Sequence, residues 1–119
     1  MAATRAKAQA LRAVWARPAP GDVVLESSWG RRDLHTPVLV VAAALEVTVH
    51  GWDVSQTTGE ATPVPDPLAA ELLPVAWSLV RESDRGVRFA PARPVAPGAS
   101  AQARLLAFLG RGRPAFRAA

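Results

Sequence analysis

Cysteine is absent from this 119-residue chain. Its absence excludes disulfides, thiolate metal ligands and a cysteine nucleophile. Histidine is scarce: His35 and His50 carry whatever imidazole chemistry there is. Lysine is scarcer still, one of fourteen cations. Long apolar runs are missing; the longest uninterrupted one, Pro37 to Leu45, has nine residues and is too short to span a bilayer. The opening residues Met1-Ala2-Ala3-Thr4-Arg5 lack the apolar stretch of a secretory signal. There is no Gly-x-Ser-x-Gly elbow and no phosphate-binding glycine loop. These gaps lead to the expectation of a cytoplasmic protein with no membrane partner.

What is present suits a globular chain. Half of the residues are apolar, enough for one modest core. The expected organisation is a single helical domain over residues 1–110 and a basic, disordered tail over 111–119. Charge is segregated. Residues 1–20 hold four cations and no acid; residues 21–84 hold all ten acids and three arginines; residues 85–119 hold seven arginines and no acid. A basic end can hold nucleic acid. The preference for arginine over lysine, beside abundant Ala, Pro and Val, instead fits the coding bias of a high-GC genome, and no nucleic-acid partner is expected.

The pattern predicts a mostly all-α fold. A first helix is expected over Ala2 to Arg17, with Leu11, Val14 and Trp15 at helical spacing and Pro18 as its stop. Residues 19–22 read as a turn, and 22–30 as an irregular or short-strand segment. Thr36 and Pro37 supply an N-cap and a first-turn proline for a second helix. Its β-branched residues also permit a strand, but about twenty residues pass before Gly59 offers a stop, which argues for a helix. Being apolar all round, it is expected to be buried. Gly51 within it costs about 1 kcal/mol against alanine, which suggests a close backbone approach.

Asp66-Pro67 repeats the cap-then-proline signal for a third helix. Leu68, Leu72, Val75, Trp77, Leu79 and Val80 form its apolar side, and Pro74 should kink or divide it. A long loop is expected near 83–98, holding Pro91, Pro94 and Pro97. Ser100 caps a short final helix with Leu105, Leu106, Phe108 and Leu109 inward and Gly110 as its stop. Of the four tryptophans, most are expected in the core, while Trp52 could wall a pocket.

One stretch carries chemistry. Glu46, His50 and Asp53 fall at i, i+4 and i+7, on one helical stripe, with about 6 Å between the Cβ atoms of the first two. Carboxylate and imidazole in an apolar setting suit a divalent metal: zinc first, then nickel, iron or manganese. Burying them side by side otherwise requires a partner. The same spacing is met by a plain Glu–His hydrogen bond or by a histidine packed in the core. Asp53 reads as a carboxylate orienting His50 or as an exposed partner of an arginine. His35 lies eleven residues before Glu46, about 16 Å along a helix axis, and reads as a solvated loop residue.

His50-Gly51-Trp52-Asp53-Val54, followed by Thr57-Thr58-Gly59, resembles the HGWDLARATG signature of actinobacterial DinB-like proteins, the mycothiol-dependent maleylpyruvate isomerase-like metal-binding family. Arg88-Phe89-Ala90-Pro91 through Val95, then Ala103 to Arg111, resembles that family's FGPPVPVP…DRLLALLGR ending, and Trp29-Gly30 its aromatic–glycine turn. The resemblance covers nearly the whole chain. It implies the C-terminal part of a DinB-like four-helix bundle, with the N-terminal helices and the family's first histidine ligand absent from the matched region.

By the motif, Glu46 and His50 correspond to the family's acidic and histidine metal ligands. The resemblance also implies a thiol cofactor such as mycothiol, a small-molecule substrate, and Trp52 and Asp53 beside the bound cofactor; on charge alone, Arg104 is expected to hold a substrate carboxylate. A partial bundle leaves one flank of the second helix bare, so self-association or a separate partner is expected to cover it. The alternative is a non-catalytic helical interaction module without a working metal site.

Overall fold

The computed structural model describes residues 2–17, 21–28 and 30–112. Among them the chain is mostly helical with one small antiparallel sheet. The described residues up to Leu39 form one compact unit and those from Val40 another.

The first unit begins with α1, Ala2–Trp15. Leu11, Val14 and Trp15 share a face as the spacing predicts, yet all three are exposed. A hairpin follows, β1 Val23–Ser27 and β2 Gly30–Leu34, with Val23 opposite Leu34 and Ser27 opposite Gly30. The first strand falls in the segment over 22–30 that the sequence reads as irregular or short strand, and the second lies mostly beyond it, where the sequence suggests no element. Arg31, Arg32 and Asp33 obscure it, because both faces of the ribbon are exposed and no polar alternation is required. Gly30 has φ 98°, a backbone state that glycine adopts without a Cβ penalty. Side chains close the hairpin's base: His35 Nδ1 lies 2.8 Å from Asp22 Oδ1, and Thr36 Oγ1 donates to the Gly21 carbonyl. The Thr36 hydroxyl is thus committed to the hairpin, where the sequence suggested a cap for its own helix. Trp29, Pro18 and residues 113–119 lie outside the described residues.

Helix α2, Thr36–Thr57, runs to a stop at Gly59, φ 77°. It is 22 residues long with a mean hydropathy of 1.4 over its most apolar window. By length and composition it could cross a membrane, a property hidden when only uninterrupted apolar residues are counted. Within the second unit its contribution to the core is narrow: Leu45 and Val49 are buried, with Trp52 packed beside them. The expectation of burial all round fails, since Val47 and Val54 are 67% and 60% exposed. Gly51 meets nothing within 4 Å of where a Cβ would sit, so no backbone approaches there.

Helix α3, Asp66–Leu79, packs on α4, Ala101–Phe108. Ala69, Leu72, Leu73, Ala76 and Val80 face Leu105 and Leu109 in one cluster with Leu45, Val49 and Val64. Leu68, Trp77 and Leu79 are exposed, contrary to the sequence expectation. The alanines allow α4 close, so the contact face turns toward Ala69 and Ala76. Pro74 sits inside α3 without dividing it. It lies on the exposed face, where water can serve the carbonyl that its missing N–H leaves unpaired. Asp66 does not cap α3; its Oδ1 accepts from the Gln102 backbone N–H at 3.0 Å, joining the N-terminal ends of α3 and α4. Ser100 caps α4 as expected, accepting from the Ala103 N–H at 3.2 Å.

Candidate functional site

Glu46, His50 and Asp53 do share one stripe of α2, as their spacing requires. His50 Nε2 lies 3.0 Å from Glu46 Oε2, and its Nδ1 lies 3.4 Å from Asp53 Oδ2. The imidazole is therefore flanked by a carboxylate on each side. The expected burial is not found: the Glu46 and His50 side chains are 56% and 65% exposed. They stand on the seam between the covered face of α2, marked by Leu45 and Val49, and its bare face, marked by Val47 and Val54. With water on one side, the pair needs no metal to offset burial.

Asp53 has a stronger partner. Arg111 donates from Nε and Nη2 to its two oxygens at 2.8 Å each, a bidentate pair. The Arg111 hydrogen bond holds the Asp53 carboxyl below its usual range, against the opposing effect of partial burial, and the nearby imidazole assists. Arg111 reaches Asp53 because Gly110, φ 75°, ends α4 and turns the chain back. A Cβ at Gly110 would lie 2.7 Å from Ala90, so only glycine fits. The Arg111 N–H then donates to the Leu106 carbonyl at 2.7 Å, and the Arg93 N–H to Ala107 at 2.9 Å.

The sequence places Arg111 at the start of a basic tail; in the structure it is a half-buried tie between α2 and the end of α4. The signal was present in the Leu-Gly-Arg ending, since a glycine stop directs the next side chain back along the helix. Arg85 is a second such tie. Only 9% exposed, it donates from Nη1 to the Phe108 carbonyl at 2.7 Å and lies 4.7 Å over the Phe108 ring. Nothing in its local sequence marks it.

Two recesses adjoin these groups. A cavity of about 180 Å³ is lined by Glu46, His50, Arg88, Phe89, Leu109 and Arg111, with Leu45 and Val49 at its base. A larger one, about 480 Å³, opens beside Trp52, Gln56, Thr62, Arg93, Gln102 and Arg111. Ser55 shapes its rim: its buried hydroxyl donates to the Trp52 carbonyl and accepts from the Thr62 N–H at 3.2 Å, holding the 61–63 loop against α2. Trp52 thus walls a pocket, while Trp15 and Trp77 are exposed rather than in the core. Arg104 is exposed on α4 and lines neither recess. His35 is exposed and paired with Asp22 in the first unit.

Among the described residues, no three His, Asp or Glu side chains are grouped to hold a metal. Glu46 and His50 alone fit a partial site. Donors bonded at about 2.1 Å to one ion stand about 3.0–3.5 Å apart, and these stand 3.0 Å apart. Asp53 is already engaged by Arg111. Compared with family models, curated proteins and solved structures, the chain matches none.

Proposed function

We propose that this chain is a divalent-metal-binding, DinB-like protein of the cytoplasm, related to thiol-dependent isomerases and transferases. One observation carries the metal reading: Glu46 Oε2 and His50 Nε2 converge 3.0 Å apart at the mouth of a recess. Both are accessible, so an ion can replace their mutual hydrogen bond. Zinc suits a carboxylate–imidazole pair, with nickel, iron or manganese as the other ions. Open coordination positions would be filled by water or by a group from outside the described residues. In the related family a metal supplies a lowered pKa for a bound thiol such as mycothiol; this chain, lacking cysteine, would take its thiol from such a cofactor. Arg88 and Arg111 on the recess wall provide positive charge for an anionic small-molecule substrate.

Titration with zinc and with nickel tests the reading. One ion bound per chain at micromolar concentration, lost in Glu46→Ala and in His50→Ala, supports it. Absence of uptake in the folded chain rejects it.

A second reading, a helical interaction module without a working metal site, draws on a separate observation. Ala44, Val47, Gly51 and Val54 line the bare side of α2, and the open space over Gly51 permits close helix approach. Its partner is a second copy of the chain, packing α2 against α2. Light scattering distinguishes it: a dimer or larger species supports this module, and a monomer across the micromolar range removes it.

A further inference from the structure

We infer that α1 is an amphipathic anchor that lies in the surface of an anionic lipid bilayer. Leu11, Val14 and Trp15 form one stripe of the helix, and every side chain from Ala3 to Trp15 is exposed. A 14-residue helix with no packed face is marginal in water. A partner that buries the stripe would hold it. The charge around the stripe selects that partner. Arg5, Lys7, Arg12 and Arg17 are exposed, and none is ion-paired among the described residues. No acid precedes Asp22. Arg5 and Arg12 share one face and border the stripe on the Trp15 side. Lys7 lies on the stripe one turn before Leu11; its apolar stem can follow the stripe while the ammonium stays among headgroups. An indole ring such as that of Trp15 suits the boundary between acyl chains and water. Cations on one side, with Leu and Trp on the other, are the pattern of a helix lying in the plane of a membrane. The sequence expectation of no membrane partner concerned spanning and secretory segments, and a surface helix needs neither.

Other occupants fit this helix less well. A second copy of α1 would set cations against cations. A protein groove takes apolar anchors over successive turns, at i, i+3, i+4 and i+7. Here the anchors stop at Pro18, and the turns before Leu11 place Thr4, Lys7 and Ala8 along the same stripe. Nucleic acid would engage the cations and leave Leu11, Val14 and Trp15 in water. A bilayer uses both features: shallow insertion buries the short stripe, and anionic headgroups take the flanking charge. Each basic side chain near an anionic leaflet strengthens attachment about fivefold, so the three apolar residues are not asked to hold the chain alone.

The test uses the full chain with a chelator present, which separates it from the metal reading. The chain is floated with vesicles of phosphatidylcholine alone and with vesicles mixing phosphatidylcholine and phosphatidylglycerol. Binding to the anionic vesicles is expected, at least about tenfold tighter than to the neutral ones, and weakening as salt is raised. Arg5→Gln with Arg12→Gln should weaken it about 25-fold. Leu11→Asp, which places a charge in the stripe, should abolish it. Neither change touches a packed side chain, so both variants keep their core. Trp15→Leu should still bind, yet lose most of the quenching of tryptophan emission by brominated acyl chains. Equal binding to both kinds of vesicle, or none to the anionic ones, would overturn the assignment. So would release of the vesicles by duplex DNA, or quenching that persists in Trp15→Leu. Binding that survives Leu11→Asp would also overturn it, and would point instead to the bare side of α2.

Discussion

Arg111 shows how much one side chain can organise. It spans from the end of α4 to Asp53 on α2, and through Asp53 it fixes one side of His50. The pair is partly exposed, so its net contribution is modest. Asp53→Asn should cost about 1 kcal/mol at neutral pH, measured by urea denaturation. The pH dependence follows from the lowered carboxyl. Its contribution is fully present above the unfolded-state value, near 3.8, and is lost as pH falls through the lower folded-state value. The stability gap between the natural chain and Asp53→Asn should be constant from about pH 7 to about pH 5 and close below about pH 4. A gap that persisted unchanged below about pH 4 would show that the Asp53 carboxylate does not contribute it. Arg85 has the same clamping role in a drier setting. Arg85→Ala removes a charged donor from the Phe108 carbonyl and a cation from its ring, and should cost about 2–3 kcal/mol.

Helix α4 is eight residues long, too short to persist without tertiary packing. Its ends are therefore specified closely. Ser100 supplies the N-terminal acceptor, and Ser100→Ala should cost about 1 kcal/mol. Gly110 combines a positive φ with a close approach to Ala90, and Gly110→Ala should cost more than the cap, about 2 kcal/mol or above. Thermal denaturation of the two variants compares them directly. Helix α2 poses the opposite case. Gly51 faces open space, so Gly51→Ala should stabilise an isolated helix by about 1 kcal/mol. If the bare side of α2 is a contact between copies, the added methyl instead weakens that contact. The sign of the change in stability at high protein concentration separates the two situations.

For the molecule as a whole, the uneven covering of α2 is the main physical problem. A 22-residue apolar helix buries Leu45 and Val49 in the second unit and leaves Val47 and Val54 bare. Large exposed apolar patches are typical of interaction surfaces, and self-association through this face is the interaction module proposed above. Val47→Lys should convert a self-associating chain into a monomer while leaving its far-ultraviolet circular dichroism unchanged. Sedimentation of the natural chain and of the variant across a concentration series measures it. Glu46 and His50 stand at the margin of the same patch, so a partner that covers it also changes the solvent exposure of the candidate metal donors.

Local pattern alone determined the helices, the Ser100 cap, the glycine stops and the common stripe of Glu46, His50 and Asp53. Each depends on residues within one or two turns of each other, where backbone sterics and helical periodicity act directly. Tertiary structure decided which faces are covered. It turned α3 toward its alanines, left Trp77 in water, gave Asp66 to the Gln102 amide and Asp53 to Arg111, and left Glu46 and His50 exposed. Those outcomes depend on contacts between distant segments, where close packing and the pairing of charge choose among faces that are equally apolar when read one helix at a time.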